Sequence, residues 1–414
     1  MRIAIIGAGV SGLIAARELG PHHDITMFES GDMPGGHIRT LDLPSSNGKT
    51  YGVDTGFVVF NTRTYPELVQ VLKTLDIQTQ PAEMSFSVRC EQSGVEYSGA
   101  SLNALFAQRR NLLRPKFHQL VIDYLRFNRR AQSLSVDNDF RTLEDYLRDN
   151  RFSRIFRDLY LVPMGAAIWS VDPTRLTNIP LRTFIQFFRN HGLLGIRGKP
   201  DWRSIVGGAQ SYVDSLIGPF RDKICLQTPI RRVHRTDDHV VVSGDSTGDM
   251  KFDHVVLATH SDQALALLQD PTQSEHEVLG AIAYQPNDVV VHTDTTLLPK
   301  QTRAWAAWNY FIPTGSTTTV STTYNMNRLQ RLNSPETFCV TLNQASLIDP
   351  ASVCARMTYH HPIFNSSAVA AQARWNDINN KIRTSFCGAY WKYGFHEDGV
   401  ISGLRAAREL IPPQ

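Results

Sequence analysis

The sequence predicts an α/β fold of two domains. At 414 residues the chain exceeds the size at which one hydrophobic core usually suffices. Residues 1–29 read as strand, glycine-rich turn, helix and strand, which is the pattern of a parallel-sheet unit. Residues 64–150 include helical patterns and residues 270–375 alternate as strands do, so we expect an α+β domain inserted into the first.

The composition is typical of a soluble globular protein, with 42% apolar and 20% charged residues. The net charge of +3 is too small to indicate nucleic acid as a partner. The apolar run Ile3–Ile6 leads straight into glycines with no basic segment before it, so we expect no signal peptide. No apolar run is long enough to span a membrane, and we expect a cytoplasmic protein.

The cysteines and the one histidine pair do not indicate a disulfide framework or a metal site. No two cysteines form a CxxC motif, and their number is odd. No acid or cysteine near His360 and His361 completes a ligand set, so no metal is expected. Scattered thiols fit a reducing cytosol; they are Cys90, Cys225, Cys339, Cys354 and Cys387.

A glycine-rich turn joins the first strand, Arg2–Ile6, to a helical pattern that ends at Leu19. Gly7 permits the tight turn, Gly9 lets a pyrophosphate approach the backbone, and Gly12 lets the helix pack closely on the strand. Free N–H groups and the positive dipole end at the helix start attract phosphates. The turn residues predicted to bind a dinucleotide are Gly7, Gly9, Val10, Ser11 and Gly12.

A second strand, Asp24–Phe28, ends at Glu29, which lies seventeen residues after Gly12. An acid at this point accepts hydrogen bonds from the ribose hydroxyls of a bound dinucleotide. A carboxylate also argues against a 2′-phosphate there. We therefore assign Glu29 and the adjacent Ser30 to the same site.

A second glycine pair follows at once, within Met33–Thr40. With this pair the chain resembles the flavin-containing amine oxidase superfamily, which includes monoamine oxidases, phytoene desaturases and protoporphyrinogen oxidases. The resemblance implies that the cofactor is FAD and that the glycine pair supports its pyrophosphate and ribityl chain. A histidine stands where the family usually has arginine, and Arg39 is expected to substitute. The implied contacts are Gly35, Gly36, His37 and Arg39.

The resemblance extends over almost the whole chain. Val53–Phe57 is similar to the segment that approaches the isoalloxazine ring, and Thr228–Val233 to the strand whose backbone meets the adenine. Phe252–Thr259 is similar to the strand and small-residue turn that return to the FAD domain. The implied contacts are Thr55, Gly56, Phe57, Ile230, Ala258 and Thr259.

The segment from Cys387 to Gly403 resembles the last FAD motif of the superfamily. There a helix points its N-terminus at flavin N1 and O2. The implied contacts are Gly388, Glu397 and Gly399, and Asp398 is expected to be the N-cap of a helix that begins near Gly399. Only Cys387 lies near the family's covalent attachment context, so we expect FAD to bind non-covalently.

These motifs divide the chain into two predicted domains. A discontinuous, Rossmann-like FAD-binding domain of the amine oxidase (GR2) type takes residues 1–60, 203–265 and 380–414. The inserted α+β substrate domain takes residues 61–202 and 266–379. Its predicted elements include a helix near Tyr65–Leu75 and strands at 288–292 and 317–323.

A basic helical segment, residues 101–134, lies in the substrate domain, with Pro115 as its expected break. Between Ser101 and Arg130 it has one acid, Asp123, against seven cations interleaved with leucine and phenylalanine. One interpretation is peripheral contact of residues 101–130 with the anionic inner face of the cytoplasmic membrane. The other is a solvated face of the substrate domain. The cations are Arg109, Arg110, Arg114, Lys116, Arg126, Arg129 and Arg130.

Four sequence segments resemble one bacterial clade more closely than they resemble the rest of the superfamily. They are residues 54–61, 83–87, 163–170 and 388–399. The members of this clade are the flavoproteins encoded beside cyclopropane-fatty-acid-synthase-like methyltransferases, some of which desaturate membrane fatty-acyl chains on the route to furan fatty acids. The resemblance implies a lipid or fatty-acyl substrate and a neighbouring methyltransferase as partner. An amine oxidase, a redox-neutral double-bond isomerase and a non-enzymatic flavin-binding partner of the methyltransferase stay as alternatives.

Dehydrogenation of an acyl chain needs a dry apolar channel beside the flavin and a route for one proton. His396 and Tyr390 are the candidate catalytic residues, because either side chain can supply or receive that proton. The candidate apolar lining is Met84, Phe86, Met164, Ile168, Trp169 and Phe395.

Overall fold

The computed structural model describes residues 1–135, 139, 141–195, 200–315 and 320–411. The strands are β1 Arg2–Ile6, β2 Asp24–Phe28, β3 Thr40–Pro44, β4 Thr50–Asp54, β5 Val59–Asn61, β6 Thr79–Pro81, β7 Phe86–Cys90, β8 Val95–Ser98, β9 Trp202–Ile205, β10 Ile224–Cys225, β11 Ile230–Arg235, β12 Val240–Gly244, β13 Gly248–Phe252, β14 His254–Leu257, β15 Tyr284–His292, β16 Trp308–Ile312, β17 Thr322–Asn325, β18 Cys339–Leu342, β19 Val353–Pro362 and β20 Thr384–Phe386. The helices are α1 Val10–Leu19, α2 Pro66–Thr74, α3 Leu102–Leu105, α4 Pro115–Ser133, α5 Leu143–Asp149, α6 Arg154–Phe156, α7 Val162–Trp169, α8 Pro173–Leu176, α9 Leu181–Asn190, α10 Gln210–Leu216, α11 Ser261–Leu267, α12 Gln273–Gly280, α13 Met326–Leu329, α14 Ser366–Gln372, α15 Trp375–Ile378 and α16 His396–Arg408.

A parallel sheet with the strand order β10-β2-β1-β14-β20 forms the first layer. Its central strand β1 is buried on both faces. Ile3 and Ile5 enter one hydrophobic cluster with α1, whereas Ala4 and Ile6 enter another beneath the antiparallel sheet β11-β12-β13. Since all paired strands of this layer run the same way, their carboxyl ends meet at one edge, where ligands bind in sheets of this type.

The predicted opening unit is confirmed, because β1, α1 and β2 span the predicted residues. Gly12 explains the close packing of α1 on the turn before it. A Cβ placed on Gly12 would collide with the carbonyl oxygen of Gly7 and lie 3.0 Å from Cβ of Ala258. A larger residue would therefore push the helix away from the sheet edge.

A seven-stranded mixed sheet with the order β19-β15-β18-β17-β16-β7-β8 forms the second layer. Helices α4 to α9 pack beside it around a cluster rich in phenylalanine that includes Phe127, Phe156 and Phe184. The predicted strand at 288–292 lies inside β15. Of the predicted strand at 317–323, residues 317–319 lie outside the described residues, and β17 begins at Thr322. The mixed sheet and its helices give the α+β architecture that the sequence predicts.

The basic helical segment begins with α3, continues through a 3-10 turn at Arg109–Leu113 and ends with α4. Pro115 is the first residue of α4 and does not break a helix, contrary to the expectation. Proline is well tolerated at this position, because the N–H that it lacks would have no partner within the helix.

Candidate active site

The two glycine motifs contact each other at the sheet edge. Gly35 N–H donates to the Ala8 carbonyl at 2.8 Å, and a Cβ on Gly36 would lie 3.1 Å from the Gly9 Cα. Gly7 has φ +104° and Gly36 has φ +61°, which favour glycine. Apart from its chain neighbours, no atom of the described residues lies within 4 Å of a Cβ built on Gly9, so its backbone is open to an incoming group.

Glu29 and the small-residue turn lie beside the same loop. One carboxylate oxygen of Glu29 accepts the Ala8 N–H at 2.8 Å and the other accepts the Gly31 N–H at 2.8 Å. The Ser30 hydroxyl lies 3.3 Å from Glu29. The carbonyl oxygen of Ala258 would lie 2.9 Å from a Cβ on Gly7, and Thr259 is 3.3 Å from it.

The predicted adenine strand also reaches this edge. Thr228 N–H donates to the Glu29 carbonyl at 2.8 Å, two residues before β11 begins at Ile230. The structure thus brings together the segments predicted to hold the two phosphates, the ribose and the adenine, although they lie up to about 250 residues apart along the chain.

Helix α16 places a second helix N-terminus next to that of α1. A Cβ on Gly399 would lie 2.6 Å from Val10 and 3.2 Å from the Ser11 hydroxyl, and one on Gly403 would collide with the Ser11 carbonyl. The Gly388 N–H donates to the Ser402 hydroxyl at 3.0 Å, which fixes the strand end against α16. Two positive dipole ends converge here, an arrangement that favours bound anions.

The predicted ring segment joins the second glycine motif to α16. Phe57 N–H donates to the His37 carbonyl at 3.0 Å, and Thr55 N–H donates to the Arg39 carbonyl at 3.0 Å. A Cβ on Gly56 would collide with the same His37 carbonyl. The Phe57 ring stacks on His396, with centroids 3.8 Å apart.

Several observations fit FAD at this edge. Buried polar atoms are nearly always hydrogen-bonded, yet Arg39 Nε and Gln210 Oε1 have no partner among the described residues. Gln210 Oε1 would lie 3.6 Å from a Cβ on Gly35, so it faces the second glycine motif. Arg39 Nε is a free hydrogen-bond donor and Gln210 Oε1 a free acceptor among the described residues. Together with the open backbone at Gly9 and the two helix N-termini, they can bind the polar groups of a dinucleotide.

Two residues of the last motif have roles that the sequence does not predict. Glu397 was expected to contact the cofactor, but its carboxylate accepts the N–H groups of Glu67 and Leu68, both at 2.9 Å, and caps α2. Asp398 is not an N-cap. Helix α16 begins earlier, at His396, and Asp398 accepts the N–H of Phe395, the true N-cap residue, at 3.0 Å.

The structure places the two candidate catalytic residues in different surroundings. His396 is hydrogen-bonded to the Tyr212 hydroxyl, and burial lowers its pKa to about 3, so it is neutral at physiological pH. Tyr390 packs with Trp391 in the core beneath the parallel sheet, where burial holds its pKa well above the ordinary value. Tyr390 is therefore protonated at neutral pH, and in a proton transfer it could supply a proton but not receive one.

Sequence reasoning missed three residues that shape the site. Asp54 lies within the ring segment but carries no implied contact; it is fully buried and accepts hydrogen bonds from the Thr40 hydroxyl at 2.6 Å and the Ala209 N–H at 2.8 Å. Burial raises its pKa to about 7. Gln210 and Tyr212 stand on α10, which carries no recognisable motif, so only the folded chain reveals their position.

Four histidines gather beside the second glycine motif: His37, His260, His360 and His361. The ring of His37 lies 6.0 Å from His260 and 5.8 Å from His361. Burial first, and then the neighbouring imidazoles, lower the pKa of His37 to about 3 and that of His361 to about 4. Among the described residues no group of three or more histidine, cysteine or acidic side chains is arranged to hold a metal ion.

These pKa values predict loss of stability in acid. Because the folded-state pKa of His37 and His361 lies below the ordinary value of about 6.5, the unfolded chain binds protons first as the pH falls. Their contribution is complete above about pH 6.5 and declines as the pH falls towards about 3 for His37 and about 4 for His361. The loss is about 2 kcal/mol for each histidine at pH 5. Urea unfolding of the FAD-free protein at several pH values measures this. We expect His361→Asn to show a shallower pH dependence than wild type; an equal slope would contradict the assignment.

Comparison with known proteins agrees with this geometry. The family model described as flavin containing amine oxidoreductase matches residues 10–411. Cyclohexylamine oxidase from Brevibacterium oxydans superimposes with a TM-score of 0.70 over 99% of this chain and 98% of that one, at 16% identity. A fatty acid isomerase from P. acnes that produces CLA superimposes with a TM-score of 0.69 over 99% of both chains, also at 16% identity.

Curated sequences point the same way. The flavin-containing monoamine oxidase AofH of Mycobacterium tuberculosis is 25% identical over 284 residues, 65% of this chain and 59% of that protein. The chain spans between 15% and 59% of the length of four of the curated relatives it matches. The fold and the site geometry are those of an FAD-binding protein. The protein belongs to the flavin-containing amine oxidoreductase family.

Among the helices that the structure describes, none is long and apolar enough to cross a bilayer.

Proposed function

We propose that the enzyme dehydrogenates a fatty-acyl chain of a membrane phospholipid. The observation that supports this substrate is a cavity of about 250 Å³ between α7, α8 and the end of β19. Its one acid, Asp172, already accepts the Thr174 N–H and hydroxyl at 2.8 and 2.7 Å and lies 3.7 Å from Arg175. The cavity therefore suits an uncharged chain better than an ammonium group. Its apolar lining is Trp169, Val171, Leu176, Ile179, Ile363 and Phe364.

Two residues of the cavity wall contact neighbours of the predicted FAD site. Gln285 in its wall pairs across the sheet with His361, one of the four histidines. Phe364, also in the wall, lies 3.1 Å from a Cβ built on Gly394, two residues before α16 begins. Of the six lining residues predicted from the sequence, Trp169 lines this cavity. Met164, Ile168 and Phe395 pack against the same helical cluster, whereas Met84 and Phe86 pack against the core of the mixed sheet.

When bound, FAD would accept two electrons as a hydride at N5, while a base or solvent takes the second hydrogen as a proton. The protein's own residues set the conditions. An acyl C–H is not acidic, so the chain must be held in one position without water, which is the role of the apolar cavity. His37, His361 and His396 are held neutral by burial, so no imidazolium charge stands beside the apolar chain at neutral pH.

Product analysis tests the reaction. The FAD-loaded enzyme is incubated with phospholipid vesicles and a quinone as electron acceptor, and the acyl chains are analysed by mass spectrometry. We expect acyl chains that have lost two hydrogens. Unchanged mass with a relocated double bond would favour the isomerase instead, and unchanged chains would favour a non-enzymatic partner of the methyltransferase. Ile363→Trp, which fills the cavity, should abolish the mass change, while Ile382→Trp, on an exposed isoleucine, should not.

The role of His396 is tested separately. We expect His396 to position Phe57 rather than transfer a proton, because it is neutral, stacked and bonded to Tyr212. His396→Ala should lower the rate of flavin reduction about tenfold without moving its pH profile, and His396→Phe should restore most of it. A shifted pH profile would instead give His396 a proton-transfer role.

A further inference from the structure

A cluster of exposed apolar side chains marks one face of the substrate domain. Among the described residues, eleven large apolar side chains are exposed, and five of them fall between residues 102 and 125. Water-exposed leucines this concentrated in sequence are unusual on a soluble surface and indicate contact with another phase or molecule. They are Leu102 at 77%, Leu112 at 49%, Leu113 at 87%, Ile122 at 57% and Leu125 at 50% exposure.

These side chains belong to one continuous surface. The His118 ring is hydrogen-bonded to the Leu112 carbonyl at 2.8 Å, which folds the 3-10 turn over the start of α4. Ile122 and Leu125 follow His118 on the exposed stripe of α4, at helical spacings of four and three residues. Phe106, which directly follows α3, packs against Phe117 on the buried side of α4, with centroids 5.8 Å apart, and this contact places the end of α3 beside the first turn of α4.

The exposed charges of this segment are all positive. Of the seven cations between residues 101 and 130, Arg126 alone forms an ion pair among the described residues, with Asp123 at 2.9 Å. Asp123 is fully buried and also accepts the Ser153 N–H, so it presents no negative charge to the exterior. Arg109, Arg110, Lys116 and Arg129 are exposed. Exposed leucines ringed by unneutralised cations complement an anionic lipid surface.

We propose that residues 102–129 form a monotopic docking surface for an anionic phospholipid bilayer. Leu102 and Leu113 insert into the bilayer at the boundary between the headgroups and the acyl chains, and the surrounding cations contact the lipid phosphate groups. The buried side of α4 carries Phe127, which belongs to the same hydrophobic cluster as Trp169 and Ile179 of the cavity wall. If the proposed function holds, the docked bilayer thus lies over the helices that enclose the substrate cavity. Docking itself does not depend on that reaction.

Vesicle flotation tests the surface with the FAD-loaded full chain. Vesicles of phosphatidylcholine mixed with phosphatidylglycerol should carry the protein upward, vesicles of phosphatidylcholine alone much less, and added salt should weaken the binding. Leu102→Asp with Leu113→Asp should lower binding about tenfold or more. Lys116→Gln with Arg129→Gln should lower it about tenfold.

Matched variants elsewhere control for general effects. Leu347→Asp with Val353→Asp changes two exposed apolar residues, and Lys49→Gln with Lys300→Gln removes two exposed cations; neither pair should alter flotation. The proposal would be overturned if the wild-type protein did not bind anionic vesicles, or if the control pairs lost as much vesicle binding as the docking variants. A wild-type dimer that dissociates in the Leu102→Asp, Leu113→Asp variant would also overturn it, because a second copy would then cover this face.

A detergent assay separates docking from the reaction. Lipid dispersed in detergent micelles needs no bilayer docking. A docking variant that fails to float but still converts micellar lipid supports both proposals. Flotation of the wild type without conversion of any lipid would leave the docking surface supported and overturn the proposed reaction alone.

Discussion

Replacing Gly9 with valine should yield a folded protein that purifies almost without flavin. Apart from its chain neighbours, no atom of the described residues lies within 4 Å of a Cβ at this position, and the backbone is extended at φ −73° and ψ 176°, which valine adopts readily. The added side chain starts from a Cβ that clears the protein, and it projects into the space in which the pyrophosphate must approach. We expect FAD affinity to fall about 10- to 100-fold. The ratio of flavin absorbance to protein measures the loss, and thermal unfolding of the FAD-free forms should coincide for variant and wild type.

Two glycine controls separate cofactor binding from folding. Gly12→Ala should destabilise the FAD-free protein, because its Cβ would collide with the Gly7 carbonyl within the fold itself. Gly218→Ala should change neither property, since nothing lies within 4 Å and its φ is ordinary. If Gly9→Val keeps a full complement of FAD, the glycine-rich edge is not the dinucleotide site.

Removing the Glu397 carboxylate should lower the free energy of unfolding, whereas the amount of bound FAD should hardly change. In Glu397→Ala the N–H groups of Glu67 and Leu68 lose their acceptors at the start of α2. An unsatisfied buried N–H costs about 1–3 kcal/mol, so we expect a loss of about 2–4 kcal/mol in the free energy of unfolding. Urea unfolding with a fixed excess of FAD measures it. Glu397→Gln, which keeps one acceptor oxygen, should recover about half.

Glu409→Ala serves as the comparison, because Glu409 is an exposed acid at the other end of α16. Its effect should stay within about 0.5 kcal/mol. The FAD content of Glu397→Ala should remain near that of wild type at low temperature. Unchanged stability together with weakened FAD binding would return Glu397 to the cofactor contacts that the sequence implied.

The sequence predicts best what local spacing dictates. The turn from Gly7 to Gly12 must join a strand to a helix, and β1, α1 and β2 lie where the pattern places them. Glu29 follows from its place at the end of β2, whereas Gly36, Ala258 and the start of α16 are implied by the resemblance. The structure brings all of them to one edge because parallel strands end together.

Side-chain partners across the fold could not be predicted in this way. Because Glu397 lies in a cofactor motif, the sequence predicts that it contacts the cofactor. In the structure its carboxylate oxygens accept N–H groups at the start of α2, more than 300 residues earlier in the chain. Gln210 belongs to no motif and reaches the site only through the packing of α10. The basic segment was visible in sequence, but which of its leucines face outward depends on how α4 packs on Phe127 and its neighbours.

Anaerobic mixing tests the central claim most directly. The purified enzyme, with its oxidised-flavin absorption band recorded, is mixed without oxygen with phospholipid vesicles whose acyl chains are unsaturated or methyl-branched, and in parallel with a panel of aliphatic and aromatic amines. An acyl dehydrogenase predicts that the lipid bleaches the band and the amines leave it unchanged. Bleaching by the amines and not by the lipid would contradict the proposal and make the enzyme an amine oxidase.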